Sequence, residues 1–157
     1  MKLTDHFTLE ELVFSQTAVR DNIENKPSTA EINSLKQLCE NVLEPVRIEV
    51  GKPITVTSGF RSARLNKAVG GAPDSQHLRG QAADIVCFDV SVKTLFKRII
   101  QKGLPYDQII YEGGKSGAWV HVSFDQARSR REILLATFPV AGGVHYTKLS
   151  KTMAMKI

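Results

Sequence analysis

The apolar residues of this chain recur with two different periods, and this change constrains the fold more than any other feature. Between residues 32 and 46 they recur every three or four positions, which is typical of an amphipathic helix with one buried face. After Gly51-Lys52-Pro53 the chain turns to short runs of strand-forming residues, the first at 54–57. Helices that come mostly before strands predict an α+β fold, with helices packed on one face of a small, largely antiparallel sheet.

Local signals set the ends of several elements. Two capping-box patterns, Thr8 with Glu11 and Ser28 with Glu31, predict helix N-termini. Further helices are predicted at 65–69 and 92–101, and further strands at 82–88, 107–112, 119–124 and 132–138. The glycine-rich connection at 113–118 predicts that the strands on either side of it pair as a hairpin.

Length and composition predict one domain. A chain of 157 residues, 42% of them hydrophobic, can bury one compact core but is too short for two full domains. We expect this core to span residues 8–147, followed by a flexible tail at 148–157. Cys39 and Cys87 lie in a predicted buried helix face and a predicted strand, so we expect them to pack as thiols without forming a disulfide.

The N-terminus and the charge of the chain bear on its location and partners. No apolar run approaches the roughly 20 residues of a membrane-spanning helix, so no integral membrane contact is expected. The charged start lacks the apolar stretch of an export signal, which predicts synthesis in the cytoplasm without a signal peptide. The net charge of +5 would suit nucleic acid, but the basic run at 128–131 lacks interleaved aromatics. We therefore predict no nucleic-acid partner. We also expect the protein to be a monomer.

The residues with the clearest chemistry lie in Ser75-Gln76-His77-Leu78-Arg79-Gly80-Gln81-Ala82-Ala83-Asp84 and in the distant Trp119-Val120-His121. Two histidines and one carboxylate are a known ligand set for catalytic zinc, which leaves the fourth tetrahedral position to water. Because the chain has no HExxH motif, the ligands would not share one helix. Each residue alone also has an ordinary structural interpretation, as a packed histidine or a turn aspartate, so the metal prediction depends on the combination.

This combination resembles the D-alanyl-D-alanine metallopeptidases, whose signature is SxHxxGxAxD. Ser75, His77, Gly80, Ala82 and Asp84 match it at every specified position. The resemblance continues upstream through 58–62 and 65–66 and downstream through 119–121, and it covers roughly residues 8–147. The family includes zinc D-Ala-D-Ala carboxypeptidases, vancomycin-resistance dipeptidases and phage L-alanyl-D-glutamate endolysins, and this chain is most similar to its small single-domain members.

The resemblance implies a hedgehog/DD-peptidase-like zinc peptidase fold and a role for each matching residue. It implies that His77, Asp84 and His121 hold the zinc ion. It also implies that Arg61 faces the substrate carbonyl or the tetrahedral intermediate, where a fixed cation favours developing negative charge. Ser75 would either bind a substrate carboxylate or orient the loop beside His77, and the sequence leaves both readings open.

The general base is where this chain departs from the family. Relatives have a glutamate or aspartate three residues before the third zinc ligand, and here that position is Ala118. In the predicted hairpin, Glu112 opposite Trp119 would place Ile110 opposite His121, so that Glu112 and His121 share one face of the sheet. Such diagonal neighbours lie about 7 to 8 Å apart, close enough for a glutamate to reach a water at the open zinc position. Other small members carry a glutamate at the corresponding strand end, and Glu112 is therefore the predicted base.

Two other sources of proton transfer stay open. Asp107 is the fallback base, although it alternates to the opposite face of its strand. A water held without a strong base is the third option. His145, in the late run at 142–146, is predicted to pack against the fold.

The resemblance implies a zinc-dependent peptidase that hydrolyses peptidoglycan stem-peptide or cross-link amide bonds. The motif does not distinguish a D-Ala-D-Ala carboxypeptidase or endopeptidase from an L-Ala-D-Glu endolysin. We expect such a protein, phage-encoded or bacterial, to act on the bacterial cell wall. The alternative is a catalytically silent zinc-containing binding or phage structural module, because the usual acid before His121 is missing. A basic nucleic-acid-binding protein is a third hypothesis, supported by charge alone.

Overall fold

The computed structural model describes residues 1–114 and 117–157 and combines helices with a central sheet, which confirms the predicted α+β class. Part of the predicted hairpin connection, Lys115 and Ser116, lies outside the described residues. The helical elements are α1 (Leu9–Val13), α2 (Gln16–Arg20), α3 (Thr29–Leu38), a π-helical turn (Cys39–Leu43), α4 (Glu44–Val50), α5 (Ala63–Ala68), a 3-10 turn (Gln76–Arg79), α6 (Val92–Lys102) and α7 (Lys151–Met155). The strands are β1 (Lys2–Thr4), β2 (Phe7–Thr8), β3 (Thr55–Ser58), β4 (Ala82–Val86), β5 (Gln108–Gly114), β6 (Gly117–Ser123), β7 (Glu132–Thr137) and β8 (His145–Leu149).

The amphipathic segment forms helix from α3 to α4. It begins at the predicted capping box, in which Ser28 Oγ accepts a hydrogen bond from Glu31 N while the Glu31 carboxylate accepts one from Ser28 N. The predicted box of Thr8 and Glu11 begins α1 in the same way, so both capping predictions are confirmed. The π-helical turn between α3 and α4 widens the helix where the sequence predicted one regular period.

The main sheet has the strand order β3-β4-β6-β5-β7-β8. Neighbouring strands are antiparallel except β5 and β7, which run parallel. In the predicted hairpin of β5 and β6, Glu112 lies opposite Trp119 and Ile110 lies opposite His121. The register predicted from sequence is therefore confirmed, and it determines which side chains share a face.

The two faces of the sheet have different surroundings. Along β5, Gln108, Ile110 and Glu112 line a cleft, whereas Ile109 is fully buried and Tyr111 packs on the core. The core joins the helices to the opposite face of the sheet through buried side chains that include Leu35, Leu38, Ala83, Ile85, Leu95, Phe96, Ile99, Val120 and Val122. Cys39 and Cys87 are buried free thiols, as predicted. Helices therefore cover one face, and the cleft opens on the other.

The C-terminal segment differs from the flexible tail predicted at 148–157. β8 pairs antiparallel with β7 as far as Leu149, and Ser150 caps α7. Ala154 is fully buried, and Met155 and Ile157 pack against the core. The polar sequence was misleading because the side chains of the edge strand β8 are mostly exposed. His145 is also exposed, contrary to the packing predicted for it.

Within residues 1–114 and 117–157, no helix is both long and apolar enough to cross a membrane.

Candidate metal centre

His77 is held in a turn that packs closely against the helical layer. Ser75 Oγ begins the turn by accepting a hydrogen bond from His77 N at 3.2 Å, and Gly80 ends it with a φ of 68°. A Cβ atom at Gly80 would lie 2.5 Å from the backbone oxygen of Glu31, so the turn requires glycine there. His77 Nδ1 donates to the Gly59 carbonyl oxygen at 2.7 Å, because a carbonyl can only accept. This bond leaves the Nε2 lone pair of His77 free to bind a metal.

Asp84 and His121 are brought together by the register of the sheet. They lie directly opposite each other on β4 and β6 and project toward the cleft. His121 Nδ1 lies 3.1 Å from Asp84 Oδ1, and His77 Nε2 lies 3.5 Å from the same oxygen. The three side chains thus converge from a turn and two adjacent strands.

The spacing of these three side chains fits a metal ion. One ligand atom from each of His77, Asp84 and His121 lies within 4.8 Å of the other two. Tetrahedral zinc with ligands at about 2.0–2.1 Å would place any two of them roughly 3.3–3.5 Å apart. The separations of 3.1 and 3.5 Å from Asp84 Oδ1 agree with this geometry. Two imidazoles and one carboxylate are also a donor set suited to zinc, with a fourth position left for water or substrate.

The charges around the centre favour an ionised Asp84. Although burial works to raise the pKa of Asp84, interactions with His77 and His121 hold it well below its usual range. Arg61 Nη2 adds a contact at 3.5 Å to Asp84 Oδ2. The other arms of Arg61 are also occupied, since Nε donates to Ser58 Oγ and Nη1 donates to Asn66 Oδ1. Burial lowers the pKa of Arg61, while the charges of Asp84 and Glu112 oppose that change. Arg61 is therefore a fixed cation at the edge of the centre.

The match to a known family covers most of the chain. The sequence profile described as Peptidase M15 matches residues 5–123, which include all three candidate ligands. The chain belongs to the peptidase M15 family. A stretch of 59 residues is also 46% identical to a zinc D-Ala-D-Ala carboxypeptidase from Streptomyces albus G. That stretch is 37% of this chain and 22% of the relative, so the chain matches about a fifth of the relative's length.

Glu112 lies beside the candidate metal centre of this M15 family member. It is half-buried and lines the same cleft as His121, two positions along β5 from Ile110, the partner of His121. Burial raises the pKa of Glu112, and the negative charge of Asp84 raises it further, while His121, Trp119 and Arg61 lower it less. The buried Trp119 Nε1 makes no hydrogen bond of good geometry among the described residues.

The carboxylate of Asp107, the second candidate for the general base, is engaged in other contacts. It is fully buried, and its carboxylate accepts hydrogen bonds from the side chains of Gln76, Arg128 and Arg130. Burial alone would raise the pKa of Asp107, but the hydrogen bonds and charge of Arg130, with the charge of Arg128, lower it to about 2. A carboxylate so stabilised in its charged form is a poor proton acceptor.

The cleft over the centre has a volume of about 670 Å³ and brings together more residues than the sequence indicated. Ser75 lines it, as do Arg61 and Glu112. Tyr146 of β8 also lines it. Burial raises the pKa of Tyr146, and the charges of Glu112 and Asp84 raise it further, so its hydroxyl keeps its proton. No sequence signal singled out Tyr146. Arg128 and Arg130 line the cleft as well, although the sequence shows them only as members of a basic run.

Proposed function

We propose that this M15 peptidase is a zinc-dependent enzyme that hydrolyses amide bonds in the peptides of bacterial peptidoglycan. One observation carries the proposal: three buried ligands, His77, Asp84 and His121, converge at the floor of a cleft that also contains Glu112 and the fixed cation Arg61. The identity with a zinc D-Ala-D-Ala carboxypeptidase supports both the choice of metal and the class of substrate.

Each side chain has a distinct role in this proposal. Zinc, when bound by His77, Asp84 and His121, would lower the pKa of a water in the open position and polarise the scissile carbonyl. Glu112 accepts a proton from the attacking water and returns it to the leaving amine, a role that suits a carboxylate whose pKa is raised. Arg61 stabilises the negative charge that develops on the carbonyl oxygen, and its three occupied arms mean that little reorganisation is needed.

Ser75 is proposed to orient the metal-binding turn. Its Oγ accepts from His77 N, so the hydroxyl fixes the backbone that carries one ligand. The hydroxyl proton stays available to a substrate oxygen, because Ser75 also lines the cleft. Both roles considered from the sequence are thus compatible with one position of the side chain.

The experiment is hydrolysis of defined peptidoglycan peptides by the purified zinc-loaded protein. New amino groups are measured, and mass spectrometry identifies the bond that is cut. His77→Ala should abolish both zinc binding and hydrolysis, whereas the exposed His145→Ala should change neither. Glu112→Gln should bind zinc normally and hydrolyse slowly, with Glu49→Gln on the exposed surface of α4 as its matched control.

A catalytically silent zinc module is the second candidate, and Ala118 is the observation that favours it. The position that usually carries the base is alanine and lies opposite Gly113 in the hairpin, so it offers no proton acceptor. This candidate predicts full zinc binding by His77, Asp84 and His121 without release of amino groups from any wall peptide. A wild-type protein that retains no zinc after purification in zinc-containing buffer would refute both candidates.

A further inference from the structure

The connection between β6 and β7 brings two arginines into the cleft, and one of them has free donors. Arg130 is fully engaged: its Nε and Nη2 donate to the two oxygens of Asp107, and its Nη1 lies 3.7 Å from Glu132 Oε1. Among the described residues, the side chain of Arg128 makes one hydrogen bond, from Nη2 to Asp107 Oδ2 at 3.3 Å. Within residues 1–114 and 117–157, its Nε and Nη1 donate no hydrogen bond.

The Asp107 carboxylate, which anchors Arg128, is shared with other donors. Asp107 accepts five hydrogen bonds: one from Arg128, three from the backbone and side chain of Arg130, and one from Gln76. A carboxylate offers about four lone-pair sites, and the bond from Arg128, at 3.3 Å, is the longest of the five. Both arginines line the cleft, whereas Asp107 and Glu132 do not. The two guanidinium groups therefore lie at the surface of the cleft, and the carboxylates that pair with them lie outside it.

Arg61 cannot play the same part. All of its arms are bonded to residues of the protein, and it lies against Asp84. Arg128 is about half exposed, with a side-chain exposure of 48%. Arg128 Nη2 carries two N–H groups and donates one of them to Asp107, so the other can pair with the N–H of Nε to meet the two oxygens of a carboxylate. Such charge-assisted pairs are the strong ones among protein hydrogen bonds.

Position along the sheet indicates which part of a peptide reaches Arg128. On β5, Ile110 lies opposite the metal ligand His121, Glu112 lies two residues to one side, and Gln108 lies two residues to the other. Asp107, the anchor of Arg128, precedes Gln108. Two residues of strand span about 7 Å, which is also the length of two residues of an extended peptide. Because Glu112 delivers a proton to the leaving amine, the leaving group lies at its end of the cleft. The acyl part of the substrate therefore lies at the opposite end.

We propose that Arg128 binds a free carboxylate on the acyl side of the substrate, one or two residues from the scissile bond. The ligand class is a peptide containing an amino acid with a second, unlinked carboxylate, such as a γ-linked glutamyl or a diamino-dicarboxylic residue. Asp107 is the positioning residue for this site, since it holds Arg128 and Arg130 at the cleft. This inference rests on the proposed peptidase function and deepens it by naming the substrate feature that is recognised.

The test compares two peptides that differ only in this carboxylate. A wall peptide that the zinc-loaded wild type cuts is synthesised with the acyl-side carboxylate either free or converted to a carboxamide. The wild type should hydrolyse the free form with a kcat/KM about 10- to 100-fold higher, mostly through KM, as expected for one charge-assisted bidentate contact. Arg128→Gln should reduce this ratio to near one. Arg131→Gln, which removes the same charge from an exposed neighbour outside the cleft, should leave the ratio unchanged.

Other outcomes overturn the proposal in ways that can be told apart. Wild-type hydrolysis of both peptides at equal rates would refute the carboxylate site while leaving the peptidase function intact. So would an Arg128→Gln protein with the wild-type ratio, or a cut bond that has no free carboxylate within two residues on its acyl side. If the wild type cuts no wall peptide at all, the peptidase function fails and this inference fails with it.

Discussion

Replacing Asp107 with asparagine should destabilise the protein by an amount that depends strongly on pH. The side chain of Asp107 is fully buried and is held by Arg128, Arg130 and Gln76. Asparagine keeps the shape but removes the charge, and its amide nitrogen cannot accept the bonds that Asp107 Oδ1 or Oδ2 now accepts. Removing one partner of a buried ion pair is strongly destabilising because the other charge loses its compensation.

The pH-dependent part follows from the lowered pKa of Asp107. The folded value is about 2 and the ordinary value is 3.8. Because folding lowers the pKa, the stabilisation is fully present above the unfolded value and is lost as the pH falls through the folded value. The lowered pKa of Asp107 contributes to the free energy of unfolding about 2.5 kcal/mol at pH 7, about 1.3 kcal/mol at pH 3 and about 0.4 kcal/mol at pH 2. The cost of Asp107→Asn should therefore fall by about 1 kcal/mol between pH 7 and pH 3.

Urea unfolding at pH 7 and pH 3 measures this change. Zinc is removed with a chelator from every sample, so that release of the metal at low pH does not contribute. The quantity to compare is the difference in unfolding free energy between wild type and variant, since other groups titrate equally in both. Asp89→Asn, which removes an exposed carboxylate, should show no such trend. A cost of Asp107→Asn that is the same at both pH values would refute the assignment of Asp107 as a charged anchor.

Three further results are expected. Glu112→Gln should lower kcat about 10²- to 10⁴-fold without loss of bound zinc, because the amide cannot take a proton from the attacking water. Steady-state kinetics and metal analysis measure the two quantities, and an unchanged kcat would contradict the role of Glu112. Removing the metal with a chelator should abolish hydrolysis and lower the midpoint temperature of thermal unfolding, and added zinc should restore both. Hydrolysis by the metal-free protein would contradict the proposed role of the metal. Gly59→Ala should destabilise the fold, because the added Cβ would lie 2.1 Å from Leu12 O. It should also weaken zinc binding, because the Gly59 carbonyl oxygen accepts the hydrogen bond from His77 Nδ1. A competition assay that gives the wild-type zinc affinity would contradict this prediction.

The hairpin register could be predicted from the sequence because the forces that set it are local. Two strand-like runs joined by a glycine-rich connection can pair in few ways, and the alternation of side chains then fixes which residues share a face. In the structure, as in the predicted hairpin, Glu112 lies opposite Trp119 and Ile110 lies opposite His121. The capping boxes were predictable for the same reason, since each lies within four consecutive residues.

The contacts of Asp107 could not be predicted in this way. Alternation along β5 correctly directed it away from the cleft, but its partners come from the connection after β6 and from the metal-binding turn. Contacts over separations of 21 to 31 residues leave no periodic signal in the sequence. Arg128 and Arg130 therefore looked like an ordinary charged surface. The same limit applies to Tyr146, which reaches the cleft only because β8 adds to the edge of the sheet.

The division between chemistry and specificity follows from where these residues lie in the chain. The match to the M15 family ends at residue 123, so it includes the three candidate ligands, Arg61 and Glu112 but neither Arg128 nor Arg130. A metal centre on paired strands can serve any amide bond that enters the cleft, because the water, the base and the fixed cation act on the scissile group alone. The choice of bond must then come from contacts with the rest of the peptide. The connection after β6 supplies a cation to the cleft. Under the proposed binding of an acyl-side carboxylate by Arg128, substitutions there should change which peptides are cut and leave the metal affinity unchanged.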